Sequence, residues 1–212
     1  MRVLLIGDFH VPDRAKEFPL EILNSVNMES RKKKFDMVIC TGDLTKVKMV
    51  RPTLFTWSNK VSIVQGNMDY DMRNAIHFPR KIVLNTSEFY PDGKNINIGV
   101  VHGHQVHPRG DANGLAKIAG DLEAHILISG HTHAPAITKK EIPSENRTIL
   151  LVNPGSASGA WSFVASLKPT YMIMTIEPFE EEFLIKLDIR EFYSGKLEQQ
   201  HEEYKFINNS IE

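Results

Sequence analysis

Residues 3–10 read Val3-Leu4-Leu5-Ile6-Gly7-Asp8-Phe9-His10: an apolar run of strand length, a glycine, then two metal-ligating side chains two positions apart. The arrangement recurs in Val38-Ile39-Cys40-Thr41-Gly42-Asp43, Ile63-Val64-Gln65-Gly66-Asn67-Met68-Asp69, Gly99-Val100-Val101-His102-Gly103-His104 and Leu127-Ile128-Ser129-Gly130-His131-Thr132-His133. Short apolar runs bounded by turn residues read as buried strands. In α/β sheets ligands bind beyond the carboxyl ends of the strands, so five such ends converge on one site. Glycine lets the backbone bend sharply and approach an ion with no Cβ in the way. Side-chain direction repeats every second residue, so Asp8 and His10, like His131 and His133, fall on one side of an extended segment.

The donor types narrow the chemistry. Carboxylates of Asp8 and Asp43, the amide oxygen of Asn67 and the imidazoles of His10, His102, His131 and His133 form a nitrogen and oxygen set without thiolate. Such a set suits Mn²⁺, iron or Zn²⁺ better than Ca²⁺, and argues against a structural zinc centre. Seven donors exceed one four-coordinate ion. Two ions about 3.5 Å apart, sharing Asp43, would use them all and clamp a phosphoryl group for in-line attack.

Outward from these runs, the first part of the chain alternates strand with helix: strands at Val3–Ile6, Met37–Cys40 and Val61–Val64, helices at Pro19–Lys33 and Pro52–Asn59. Pro19 and Pro52 both suit a first helical turn, where a missing N–H costs nothing. Beyond Lys81 the pattern is strand-rich, with Ile82–Leu84, Ile96–Val101, Ile126–Ile128, Ala134–Glu141, Thr148–Val152, Tyr171–Ile176 and Glu182–Leu187, interrupted by a helix at Ala112–Leu122. A hairpin is expected across Pro143-Ser144-Glu145-Asn146. The pattern predicts a single α/β domain over residues 1–212, layered as α/β/α or built on a β-sandwich, with a polar C-terminal tail from about 196 whose last residues fray.

The 212 residues carry 25 Lys and Arg against 26 Asp and Glu, a formal net charge of -1 that provides no global field for gripping nucleic acid. A hydrophobic fraction of 42% and a charged fraction of 24% exclude disordered and collagenous classes. One cysteine, Cys40, allows no intramolecular disulfide and fits a reducing, cytosolic compartment. Four apolar residues before Gly7 are too few for a signal-peptide core, and no run approaches the ~18 of a spanning helix, so direct membrane insertion is not expected.

Together the motifs D-x-H, G-D, G-N-x-D, H-G-H and G-H-x-H resemble the calcineurin-like metallophosphoesterases from Gly7 to His133. The resemblance implies a four-layer α/β/β/α fold, two packed β-sheets flanked by helices. It implies one metal held by Asp8, His10, Asp43 and His133, a second by Asp43, Asn67, His102 and His131, and His104 near the bound phosphate. Many active members carry a histidine as general acid where this chain has Met68, which cannot donate a proton. The stretches Val3–Pro12, Val101–Asp111, Ile126–His133, Val152–Ala160 and Pro169–Ile176 more closely resemble the retromer small-subunit family. That likeness implies a scaffold in endosomal cargo retrieval, cytoplasmic and peripheral to endosomes, with weak or no phosphoesterase activity. Its metal face would bind the large α-solenoid retromer subunit, and an apolar patch would recruit regulators of endosomal small GTPases. His107 and Arg109 stand where animal members carry apolar contacts to the large subunit. Arg2 replaces an apolar residue of the regulator patch, whose character Ile173 and Leu197 keep. The alternative is an active Mn- or Zn-dependent dinuclear phosphodiesterase.

The remaining features read plainly. Arg31-Lys32-Lys33-Lys34 reads as the solvated end of a helix, where cations favour the dipole. Glu180-Glu181-Glu182 is a charged turn, Trp57 and Trp161 are packing residues, with Trp161, after the Asn-Pro-Gly-Ser turn, alternatively part-exposed for a partner, and His77, His125 and His201 stand outside every motif. The stretch 16–34 is longer than the family's, with no function read from it.

Overall fold

The computed structural model describes residues 1–69, 77–91, 95–180 and 182–212. Strands β1 (Arg2–Ile6), β2 (Met37–Cys40) and β3 (Val61–Ile63) pair in parallel. They are continued on the other side of β1 by antiparallel β9 (Thr170–Phe179), β10 (Glu182–Tyr193), β11 (Lys196–Ile207) and β12 (Ser210–Ile211), in the order β12-β11-β10-β9-β1-β2-β3. The second sheet runs β4 (Lys81–Asn85), β5 (Asn97–Val101), β6 (Ile126–Ile128), β8 (Arg147–Pro154), β7 (Pro135–Ile142), with β5, β6 and β8 parallel at its centre.

Alternation along β1 explains the layering. Val3 and Leu5 face the second sheet and pack with Ile98, Val100, Ile126, Ile128 and Val152. Leu4 and Ile6 face the other way, onto Ile22 and Val26 of α1 (Leu20–Lys32) and Val50, Leu54 and Trp57 of α2 (Val47–Trp57). On the far side Leu127, Ile149 and Leu151 pack beneath Leu115, Ala116 and Ala119 of α3 (Ala112–Asp121). The result is four layers, α/β/β/α. Strands buried on both faces have no polar side, which is why their sequences are unbroken apolar runs.

Two expectations need correction. Pro52 lies inside α2 rather than in its first turn, because the helix begins at Val47. It is exposed, so the carbonyl it leaves unbonded can meet water. The stretch after 196 is no tail: β11 pairs with β10 from Lys196 to Phe206, and Phe206 and Ile211 are buried in the main core. Its polar composition reflects a strand at the border of the sheet with most side chains in solvent. The hairpin at 143–146 forms as a short 3₁₀ turn closed by Asn146 in the left-handed region, φ 48°. Pro19 immediately precedes α1, its carbonyl accepting from Leu23 N. Glu180 lies in the β9–β10 turn at φ 53° and Glu182 opens β10, while Glu181 lies outside the described residues.

Candidate metal centre

The carboxyl ends of β1, β2 and β3 in one sheet and of β5 and β6 in the other meet at one edge of the sandwich. The ends of β1, β2 and β6 turn sharply: Asp8, His10, Asp43, His131 and His133 have φ of 50°, 49°, 51°, 70° and 63°. Non-glycine residues rarely sit in this region and do so where surrounding structure holds them. Glycine is needed where two ends touch. A Cβ at Gly66 would overlap the Asp43 carboxylate, and one at Gly130 would lie 2.5 Å from Asp8 Oδ2.

Asp8, His10, Asp43 and His133 form one buried cluster, and Asp43, His102 and His131 a second, with donor atoms in each within 4.8 Å of one another. Asp43 belongs to both: its Oδ2 is 3.4 Å from Nε2 of His10 and 3.4 Å from Nε2 of His102. His133 Nδ1 lies 2.9 Å from the Ala160 carbonyl and His102 Nδ1 2.7 Å from the Thr41 carbonyl. Carbonyls only accept, so both Nδ1 atoms carry hydrogen and each Nε2 is turned inward. There His133 Nε2 meets His10 Nε2 at 3.0 Å and Asp8 Oδ1 at 3.2 Å, and His102 Nε2 meets Asn67 Oδ1 at 3.0 Å. Electron-pair donors so concentrated in a buried space fit a divalent cation. Without one, a proton must mediate: the Asp43 and Asp8 carboxylates and the Thr41 carbonyl outweigh the burial of His102 and raise it to about 9. Burial lowers His10 and His131 to about 4, leaving both neutral, the form that ligates metal.

His104 stands at the rim, its ring 5.4 Å from that of His102 and 6.2 Å from that of His131. Arg109 Nη1 donates to the His131 carbonyl at 2.9 Å, while His107 is exposed. Ile173, expected at a partner-binding patch, is 2% exposed: it pairs with Leu4 and faces the helices, so it offers a partner no surface. Arg2 lies over the Phe35 ring at 4.3 Å and pairs with Glu29. Leu197 is exposed on β11. Trp57 is buried, but Trp161 is not. His125 accepts from Asn97 N and hydrogen-bonds Asn209, a structural role, and His201 lies exposed between Asp188 and Glu203. Burial pushes the Cys40 thiol up, leaving it inert.

Two contributors escaped the sequence reading. Asp69 accepts from Asp43 N, Gly66 N and Thr45 N at 2.8, 2.8 and 3.0 Å. The loop after β8 is a sixth strand end at the site. Asn153 Nδ2 donates to the Gly130 carbonyl at 2.9 Å and approaches Thr132 Oγ1 at 3.0 Å, and Ser156 Oγ donates to the Asp8 carbonyl at 2.7 Å. The acid of G-N-x-D, and Asn-Pro-Gly-Ser behind a buried strand, were the available signals.

Residues 160–168 continue from this loop along the rim. Ser162 Oγ donates to the Thr132 carbonyl at 2.6 Å, Arg14 Nη1 to the Trp161 carbonyl at 2.9 Å, and Ser166 N to the His133 carbonyl at 3.4 Å. Yet Trp161, Phe163, Val164 and Leu167 are 56%, 84%, 51% and 59% exposed.

A family model for the calcineurin-like phosphoesterase superfamily domain matches residues 1–178. A probable metallophosphoesterase of Methanocaldococcus jannaschii is 36% identical over 156 residues, 74% of this chain and 68% of that protein. Among solved structures, vacuolar protein sorting 29 of Cryptosporidium parvum superposes with a TM-score of 0.78 at 28% identity, over 96% of this chain and 97% of that one. Vps29 of Entamoeba histolytica, crystallised with Zn²⁺, gives 0.73 at 30% identity over 96% and 99%.

Proposed function

The chain belongs to the calcineurin-like phosphoesterase superfamily, and from that premise we propose that it is a retromer-type scaffold subunit whose metal face is covered by the large α-solenoid subunit. The observation that carries this reading is the loop of Trp161, Phe163, Val164 and Leu167: four large apolar side chains exposed within seven residues, beside the metal cluster. Contiguous apolar surface of this kind is unusual on a monomer and marks an interface. The loop is tied to the His131–His133 turn, so it is presented rather than folded away. His107 and Arg109 stand on the same rim and would meet the partner there, adding polar contacts where animal members have apolar ones. Recruitment of small-GTPase regulators would then fall to a surface that includes Leu197, without Ile173. Endosomal association would follow through the partner, since no helix among the described residues is long and apolar enough to cross a membrane.

Asp8, His10, Asp43 and His133, and Asp43, Asn67, His102 and His131, would hold two divalent ions, Mn²⁺ or Zn²⁺, with His104 facing a bound phosphate. The Zn²⁺ complex of the Entamoeba relative supports zinc as one occupant. Such ions supply a water of lowered pKa and neutralise charge on a phosphoryl group. A second reading, an active phosphodiesterase, is favoured by the completeness of this donor set and by the Methanocaldococcus relative. In it, His104 and Asn67 would orient the phosphate; Met68 would leave the departing oxygen unprotonated. Hydrolysis of bis-p-nitrophenyl phosphate with Mn²⁺, abolished by Asp43→Ala, would establish that reading; absence of turnover leaves the scaffold. The scaffold reading is tested by recovering a large helical-solenoid protein on tagged chain.

A further inference from the structure

The loops that follow β2 and β3 are locked by exchanged carboxylates. Asp69, on the β3 loop, accepts the N–H groups of Asp43 and Thr45 at 2.8 and 3.0 Å. Asp43, on the β2 loop, returns the exchange, its Oδ1 accepting Met68 N at 2.7 Å. With Oδ1 so committed, Oδ2 is the oxygen left facing His10 and His102 at 3.4 Å each. The loop that presents it is strained: beyond Gly42, which takes φ 94° freely, Asp43 and Thr45 have φ of 51° and 65°. Thr45 is β-branched, the side-chain type that tolerates this region least. Among the described residues its buried hydroxyl has no hydrogen-bond partner, so none of them compensates the backbone through it.

We propose that Asp69 is a positioning residue for the metal centre: it holds the strained 42–45 loop in the left-handed conformation that aims Asp43 Oδ2 between the two donor clusters. The inference rests on the reading of Asp43 as a metal ligand. With Met68 in the general-acid position, the 66–69 loop would serve to supply Asn67 and to preform the Asp43 carboxylate. Asp69 belongs to neither donor cluster, and it acts through Asp43 and Thr45.

The test is calorimetric titration of Zn²⁺ and Mn²⁺ into metal-free wild-type, Asp69→Asn, Thr45→Gly and Asp69→Asn/Thr45→Gly chains, with urea unfolding of each metal-free protein. Asparagine keeps the size but turns an amide donor onto an N–H group. Loss of such outer partners weakens metal affinity by roughly 10–100-fold. That loss is expected for Asp69→Asn, and Thr45→Gly, which removes the strain, should restore most of it in the double variant. Asp69→Glu retains the charge with one extra methylene and is expected to fall between wild type and Asp69→Asn; it carries the test if Asp69→Asn does not fold. A purely structural residue would lower the urea midpoint and leave affinity unmoved, and that result overturns the proposal, as does a double variant no better than Asp69→Asn. If wild type itself takes up neither ion, the metal reading fails; if wild type binds and Asp69→Asn binds equally well, only the positioning role fails.

Discussion

Nε2 of His10 and Nε2 of His133 face each other at 3.0 Å in a buried space also bordered by Asp8 Oδ1, 3.2 Å from His133 Nε2. His133 commits Nδ1 to the Ala160 carbonyl, so Nε2 is the nitrogen its ring presents to a divalent ion in that space. Loading the protein with Zn²⁺ or Mn²⁺ at about 100 times the dissociation constant should therefore add about 2.7 kcal/mol. For a domain this size that is a rise in Tm of roughly 5–10 °C. Differential scanning fluorimetry with and without EDTA measures it, and His133→Ala should remove most of the rise.

The metal-free protein should have a stability optimum in pH. His10 and His131, lowered to about 4, are neutral in the fold while the unfolded chain protonates near 6.5, so stability climbs as pH rises from about 4 to 6.5. His102, raised to about 9, does the reverse: its contribution is complete below 6.5 and is lost as pH rises through about 9. Metal affinity should instead increase with pH up to about 9, because binding expels the His102 proton. Urea midpoints in EDTA measured from pH 4 to 9, beside metal titrations, check both trends; stability that keeps rising above pH 7 contradicts the assignment.

Asn153→Asp should be markedly more harmful than a surface change, since a carboxylate cannot donate to the Gly130 carbonyl that Asn153 Nδ2 now satisfies. The Gly130 carbonyl keeps its bond from Thr132 N at 2.8 Å, so the cost is that of setting a buried carboxylate, with no hydrogen to donate, against an oxygen, about 1–3 kcal/mol. Chemical denaturation should show that loss, with weaker metal binding because the turn bearing His131 and His133 loses its brace.

Restoring an acid at position 68 should matter only for poor leaving groups. Met68→His leaves the backbone bond from residue 68 N to Asp43 Oδ1 available, and a general acid contributes typically 10²–10⁴-fold. Hydrolysis of alkyl phosphate esters should rise, while that of p-nitrophenyl esters, whose leaving group needs no proton, should barely change. Equal stimulation of both would contradict this use of position 68.

The strands were legible because they rest on local periodicity, which left the layering open between α/β/α and a β-sandwich; the four layers came with the family resemblance. Val3 to Ile6 and Met37 to Cys40 are unbroken apolar runs, and the structure buries both faces of each. The donor set was legible for a similar reason, since glycine followed by a ligating residue is a local signature repeated at five strand ends. What stayed hidden depends on pairing across the chain. Glu198 to Glu203 are all polar, and only their register against Glu191 to Lys186 makes them a strand. Ile173 has the composition of a surface anchor, but its register against Leu4 turns it into the helix-facing core. Asp69 and Asn153 support the site through backbone groups of residues distant in sequence, which no spacing rule reveals. The exposed Trp161 likewise follows from how Ser162 and Ser166 tie its loop to the Thr132 and His133 carbonyls, leaving the rings outside.

The scaffold reading depends on the rim loop, where Phe163 is 84% exposed and its ring lies 5.0 Å from that of Trp161. Phe163→Asp should leave Tm unchanged, since it removes no core contact. The most direct measurement is affinity capture from source extract on tagged wild-type and Phe163→Asp chains under gentle conditions, with the retained protein identified by mass spectrometry. Wild type should retain a large α-solenoid protein that the variant loses. Recovery of no such protein by wild type, or equal recovery by both, would contradict a partner-covered metal face.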